Sequence, residues 1–145
     1  MTSASSTIGL TIQEVSRRSG LSEPTLRYYE KIGLLGPIAR DESSGHRRYS
    51  AAGLQTAQTL ACLRVAGTSV EEMRRYLRLL ELGAAAEQRD LFSAQADQLS
   101  AHIDRLQWSL TYLQQKAAIW DARERGDQAA ERRAIEAATH AAERF

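Results

Sequence analysis

Residues 10–35 read LTIQEVSRRSGLSEPTLRYYEKIGLL. Ile12 and Val15 place two apolar side chains three residues apart, and the run stops at Gly20, a residue suited to a left-handed helix end. Ser22 then supplies an N-cap hydroxyl, with Pro24 in the first turn, where its missing N–H costs little. The pattern predicts one helix over Ile12–Ser19 and a second over about Glu23–Ile32, stopped by Gly33. Two short helices joined through Ser19-Gly20-Leu21 form a helix-turn-helix.

Outward from this pair, Gly36-Pro37 breaks the helical pattern. The turn-rich Asp41–Gly45 lies between Pro37–Arg40 and His46–Tyr49, which fits a small β-hairpin. Ser50 caps a third helix over about Ala51–Ala66, ended by Gly67. Ser69-Val70-Glu71-Glu72 is a capping box that opens a fourth helix reaching Leu82 and stopped by Gly83. The longest signal follows, over residues 84–125. Phe92, Ala96, Leu99, Ile103, Leu106, Leu110, Leu113, Ala117 and Trp120 alternate spacings of four and three, a 3.5-residue period about 40 Å long. Such a stripe either lies along a globular core or pairs with a second chain. The residues before it are too few to cover that length, which favours coiled-coil pairing. Residues 126–145 are a polar, alanine-rich tail with helical capacity and no assigned role.

With 145 residues, 43% apolar and only 6% aromatic, the chain suits one small helical domain with an extended appendage. No apolar run is long enough to cross a membrane. Residues 1–9, rich in serine and threonine, lack the basic start and apolar stretch of a signal peptide and read as a disordered tail. A single cysteine excludes an internal disulfide framework and any multi-cysteine metal site, so a reducing cytoplasm is expected. The net charge is +1, but residues 11–50 carry seven Lys/Arg against five Asp/Glu, while residues 83–126 carry five against six. The positive end is the helix-turn-helix half, as nucleic-acid binding would require. No paired carboxylates, nucleophile–base string or glycine-rich phosphate loop argues for an enzyme.

Thr25-Leu26-Arg27-Tyr28-Tyr29-Glu30-Lys31-Ile32-Gly33-Leu34-Leu35, followed by Gly45-His46-Arg47-Arg48-Tyr49-Ser50, closely resembles the DNA-binding domain of MerR-family transcription regulators, over residues 10–82. The resemblance implies an all-α fold with a small β wing: a winged helix-turn-helix, then a long helix forming an antiparallel coiled coil in a homodimer. It also implies a palindromic promoter operator, RNA polymerase as a partner at that promoter, and an effector that changes the angle between the two DNA-binding halves and so distorts the DNA. Ser22, Thr25, Arg27 and Tyr28 stand at the end of the second helix that would meet base edges and phosphates. Tyr28 can set its hydroxyl on a phosphate, whereas Tyr29 points elsewhere; the bland alternative makes both tyrosines core. Arg40, Arg47, Arg48 and Tyr49 on the wing complete the expected DNA contacts, although an arginine pair on a hairpin is often only a solvated face. His46 stands where the family usually has an apolar or aromatic residue, which bears on wing packing.

No cofactor is expected. Metal-sensing members carry cysteines at and after the end of the long helix; none stands here, and His46, His102 and His140 are far apart. Cys62, in LACLRVAG over residues 60–67, falls where the aldehyde- and thiol-responsive branch (AdhR/NmlR-type) has its sensing cysteine. On a helical wheel it lies off the main apolar stripe, near Gln58 and Ala66, as a partly accessible thiol. A lone helical cysteine also serves as a small packing residue. Two other readings stand beside electrophile sensing: a small apolar ligand near Tyr76, Trp108, Tyr112 and Trp120, or a coiled-coil scaffold whose helix-turn-helix binds protein.

Overall fold

The computed structural model describes residues 9–144; of the expected tail over residues 1–9, all but Gly9 lies outside the described residues. The elements are α1 (Ile12–Ser19), α2 (Glu23–Lys31), β1 (Ala39–Arg40), β2 (Arg47–Arg48), α3 (Ala51–Val65), α4 (Val70–Leu82), α5 (Ala85–Arg125) and α6 (Gln128–Glu143). The fold is all-α with a small β wing: a winged helix-turn-helix followed by a long helix. The chain divides into two compact units, one ending at Arg89 and one starting at Asp90.

Local signals place most boundaries in the first unit. Thr11 and Glu14 form a reciprocal capping box on α1, Thr11 N–H donating to Glu14 Oε2 at 2.8 Å and Glu14 N–H to Thr11 Oγ1 at 3.2 Å. Gly20 ends α1 at φ 80°, where a side chain would be strained. The turn into α2 is then tied by Ser16 Oγ, which donates to Leu21 O at 2.7 Å. Ser22 caps α2 through the Thr25 N–H, and Ser69 with Glu72 caps α4 as a box. The helix ends differ from expectation by a residue: α2 stops at Lys31 and α3 at Val65.

The hairpin is shorter than the sequence pattern implies. Only Ala39–Arg48 and Arg40–Arg47 pair, antiparallel. An additional bridge between Leu10 and Tyr49, with N–H to O distances of 2.8 Å in both directions, pins the entering chain to the wing. Gly9 follows from this. A Cβ there would stand 3.0 Å from both Arg48 Cβ and Tyr49 O, so the residue belongs to the wing contact rather than to a free tail.

Val15, Leu26, Leu35, Tyr49, Leu60 and Met73 are almost wholly enclosed and draw α1, α2, the wing, α3 and α4 onto one core. Burial of each such side chain contributes on the order of 1.5–3 kcal/mol. Tyr29, four residues before Gly33, is also core.

In the second unit the polar tail is a helix. Asp127 caps α6 by accepting the Ala130 N–H at 3.0 Å, and Ala134 and Ala138 pack on Ile119 of α5. Trp108 Nε1 donates to Ala141 O at 2.7 Å, and Arg123 pairs with Glu131. Small alanines allow α6 to approach α5 closely along this side.

Candidate nucleic-acid interface

Helix α2 is split by its periodicity into two faces. Leu26 and Tyr29 are buried, while Pro24, Arg27, Tyr28 and Lys31 point outward. Tyr28 is half-exposed, at 51%, so the two tyrosines have separate roles, the first on the surface and the second in the core. Arg27 makes a surface ion pair with Glu23 at 3.2 Å. Exposed i,i+4 pairs of this kind are weak, on the order of a few tenths of a kcal/mol, and exchange readily for a phosphate. Lys31, one turn beyond Arg27 on the same face, is a cation that sequence reasoning passed over despite its spacing.

At the N-terminal end of α2, the Ser22 and Thr25 hydroxyls are already linked. Ser22 Oγ accepts the Thr25 N–H at 3.2 Å and donates to Thr25 Oγ1 at 2.9 Å. Arg64 of α3 reaches across to donate to Thr25 Oγ1 at 3.2 Å. This places a further exposed cation beside α2, from a position 39 residues later in the chain that local pattern does not connect to it.

The wing is attached to α2 through one carboxylate. Glu30 accepts from Arg47 Nε and lies 3.8 Å from Arg40 Nη2. Arg47 is largely shielded and ties the wing to α2, while Arg40 remains half-exposed and also donates to Gly45 O at 3.2 Å. Arg48 lies 3.7 Å from Asp41. Asp41 organises the hairpin turn: the Ser43 hydroxyl, helped by the Ser44 and Ser43 N–H groups, holds its carboxyl well below the usual carboxylate range.

Tyr49 requires a correction. Expected as a DNA contact, it is 1% exposed, and its hydroxyl is enclosed with no hydrogen-bond partner among the described residues. Burial, and then the charge of Glu30, push its phenol above the ordinary tyrosine value. The Leu10 bridge turns its side chain inward, so it packs the wing onto the core. His46, by contrast, is exposed and takes no part in that packing.

Two grooves bear on the remaining candidates. Cys62 is exposed and lines a groove of about 660 Å³ with Ser19, Gly20, Leu21, Ala61, Arg64 and Val65, at the helix-turn-helix turn. In the second unit, a groove of about 360 Å³ between α5 and α6 gathers Tyr112, Lys116, Trp120 and Arg123 with Ile135 and Thr139. Trp108 stacks on Tyr112 at 5.4 Å, while Tyr76 belongs to the first unit. The heptad stripe stays bare: Leu99, Ile103, Leu106, Leu110, Leu113 and Trp120 are all exposed, although they are the most regular apolar series in the chain.

Residues 10–80 match the profile of the MerR HTH family regulatory proteins. An uncharacterised HTH-type transcriptional regulator of Haemophilus influenzae is 32% identical over 76% of this chain and 82% of its own length. The HTH-type transcriptional regulator AdhR of Bacillus subtilis is 36% identical over 51% of this chain and 52% of its own. Among solved structures, HiNmlR, described as a MerR-family regulator lacking the sensor domain and bound to promoter DNA, superposes with a TM-score of 0.69. It is 31% identical and the match covers 83% of this chain and 94% of that one.

Proposed function

The chain belongs to the MerR family of helix-turn-helix regulatory proteins and is a DNA-binding transcription regulator; from that premise we propose that it acts as a homodimer on a palindromic promoter operator. The observation that carries the reading is the bare face of α2, with Arg27, Tyr28 and Lys31 outward and the wing held to it through Glu30. That arrangement offers a helix for the major groove and a cationic flank for the phosphates on one rigid support. Ser22, Thr25, Arg27, Tyr28, Arg40 and Arg48 are the contacts, with Arg47 acting through Glu30. The exposed stripe on α5 is the dimer surface, pairing antiparallel with a second copy. At the promoter the dimer distorts the DNA so that RNA polymerase can engage it.

Arg27→Ala tests the DNA face. Loss of one phosphate contact flattens the slope of log affinity against log salt by about 0.9 for each protomer engaged. An unchanged slope removes Arg27 from the contacts, and no salt-sensitive DNA binding by the parent protein would favour a scaffold instead.

For the effector, the exposed Cys62 thiol and the likeness to AdhR favour electrophile sensing. Cys62 adds across an aldehyde carbonyl, forming a sulfur–carbon bond while the thiol proton passes to the carbonyl oxygen. The adduct then occupies the groove beside Arg64, next to the N-terminal end of α2. Cys62→Ser should abolish the transcriptional response to aldehydes while leaving operator binding intact; a retained response would move the search to the aromatic groove between α5 and α6.

A further inference from the structure

The groove of about 360 Å³ between α5 and α6 lies wholly within the second unit. We propose that it is a binding site for a planar aromatic carboxylate, whose ring lies along the Tyr112 and Trp120 wall and whose carboxylate pairs with Lys116. The inference goes beyond the DNA-binding reading and does not rest on it, and it involves neither Cys62 nor the wing.

The spacing on the two helices gives the groove its shape. Tyr112, Lys116 and Trp120 recur every four residues, so on α5 one ammonium stands in a row between two rings. Lys116 Nζ lies 5.5 Å from the Tyr112 ring centre, and the Arg123 guanidinium lies 4.8 Å from that of Trp120. Trp108 stacks on Tyr112 with the ring planes 8° apart, and its own N–H is held by Ala141 O, so the Tyr112 ring is braced from within the unit. Across from this row, Ala138 and Ala142 of α6 carry only methyl groups and leave a slot that larger residues would close. Counted at about 100° per residue, the Tyr112, Lys116 and Arg123 side of α5 is roughly a quarter-turn from the row of Leu106, Leu110 and Leu113. Pairing through those leucines therefore does not use the slot, and Trp120 stands at the edge between the two surfaces. The size falls at the lower end of small-molecule pockets, about 300–1,000 Å³, which share this pattern of apolar walls with few polar groups.

The charges select the ligand. Lys116 and Arg123 line the groove, and no carboxylate does. Arg123 is already paired with Glu131, and of the acids nearby on the two helices Asp121 pairs with Arg125 and Glu143 with His140. Lys116 has no ion-pair partner among the described residues. One uncompensated ammonium beside a flat apolar wall suits a monoanion carried on a ring. The ring removes water from Trp120 and Ile135, which are 64% and 41% exposed, and the carboxylate meets the charge. A cationic ligand would be repelled by Lys116 and Arg123 together, and a purely apolar one would take water from the ammonium and return nothing.

The test titrates the full chain by isothermal calorimetry with β-naphthoate and with its neutral counterpart β-naphthamide. The parent should bind the acid about tenfold more tightly than the amide, the margin of one charge-assisted pair. Lys116→Met, which keeps the stem and removes the charge, should erase that preference, and Lys116→Arg should restore it. Thr139→Trp, which fills the slot from α6, should weaken acid and amide alike by about tenfold, with circular dichroism confirming that the helices persist. Equal binding of acid and amide by the parent, or a preference that survives in Lys116→Met, overturns the pairing with Lys116. Parental affinity in Thr139→Trp overturns the location, and acetate bound as tightly as naphthoate overturns the aromatic ligand in favour of simple anion binding. No binding of either naphthyl compound overturns the inference outright. Each of these results leaves DNA binding standing, because salt-dependent titration of a duplex reads that separately.

Discussion

Tyr49 shows how a single residue can be right in kind and wrong in place. Its aromatic character was legible in GHRRYS, but its direction depends on a backbone bridge to Leu10, 39 positions earlier, which no local pattern carries. The enclosed hydroxyl finds no partner among the described residues. Removing it eliminates a desolvated polar group while the ring continues to fill the core. Tyr49→Phe should therefore leave the melting temperature unchanged or raise it, with DNA affinity unaltered. Tyr49→Ala should lose about 3–5 kcal/mol, as truncation of a large buried aromatic does; chemical denaturation distinguishes the two, and a clear loss in Tyr49→Phe would mean that the hydroxyl is satisfied in solution. Arg47 follows the same logic. Sequence shows a cation on a hairpin, and only the fold shows the carboxylate 17 residues away that occupies it.

Among the elements, legibility followed the range of the signal. Ser22, Ser69 with Glu72, and Gly20, Gly33 and Gly83 set helix ends through groups within a few residues, and these ends were readable to within a residue or so. Helix α6 was readable only as a capacity, because the side chains that dock it are mostly alanines, which give little amphipathic contrast. The α5 stripe was readable at once, and the structure adds that its leucines and Ile103 are exposed. Its midpoint is Leu106, with four stripe positions on either side. In the proposed antiparallel pair, Leu106→Asp would bring two carboxylates close to the centre and should leave the chain monomeric, with loss of operator binding. Sedimentation velocity reads the outcome, and circular dichroism confirms that the helix itself persists; a dimer that survives would mean the stripe is not the pairing surface.

For the molecule as a whole, the surface that meets DNA is restrained as well as attractive. Arginine-rich wings adhere to any duplex, and a regulator must find a few sites among roughly 10⁶–10⁹ competing ones. Glu30 pairs with two of the wing arginines, and in the proposed interface it partly neutralises their charge on any duplex. Glu30→Gln should strengthen binding to random duplex by several-fold and steepen its salt slope, while narrowing the margin by which the operator is preferred. Competition binding against random duplex measures that margin, and an unchanged ratio would show that Glu30 only braces the wing. In the proposed interface, a carboxylate set beneath the DNA-facing surface is a brake on promiscuity: it shortens each stay on the wrong sequence and leaves more time for the search.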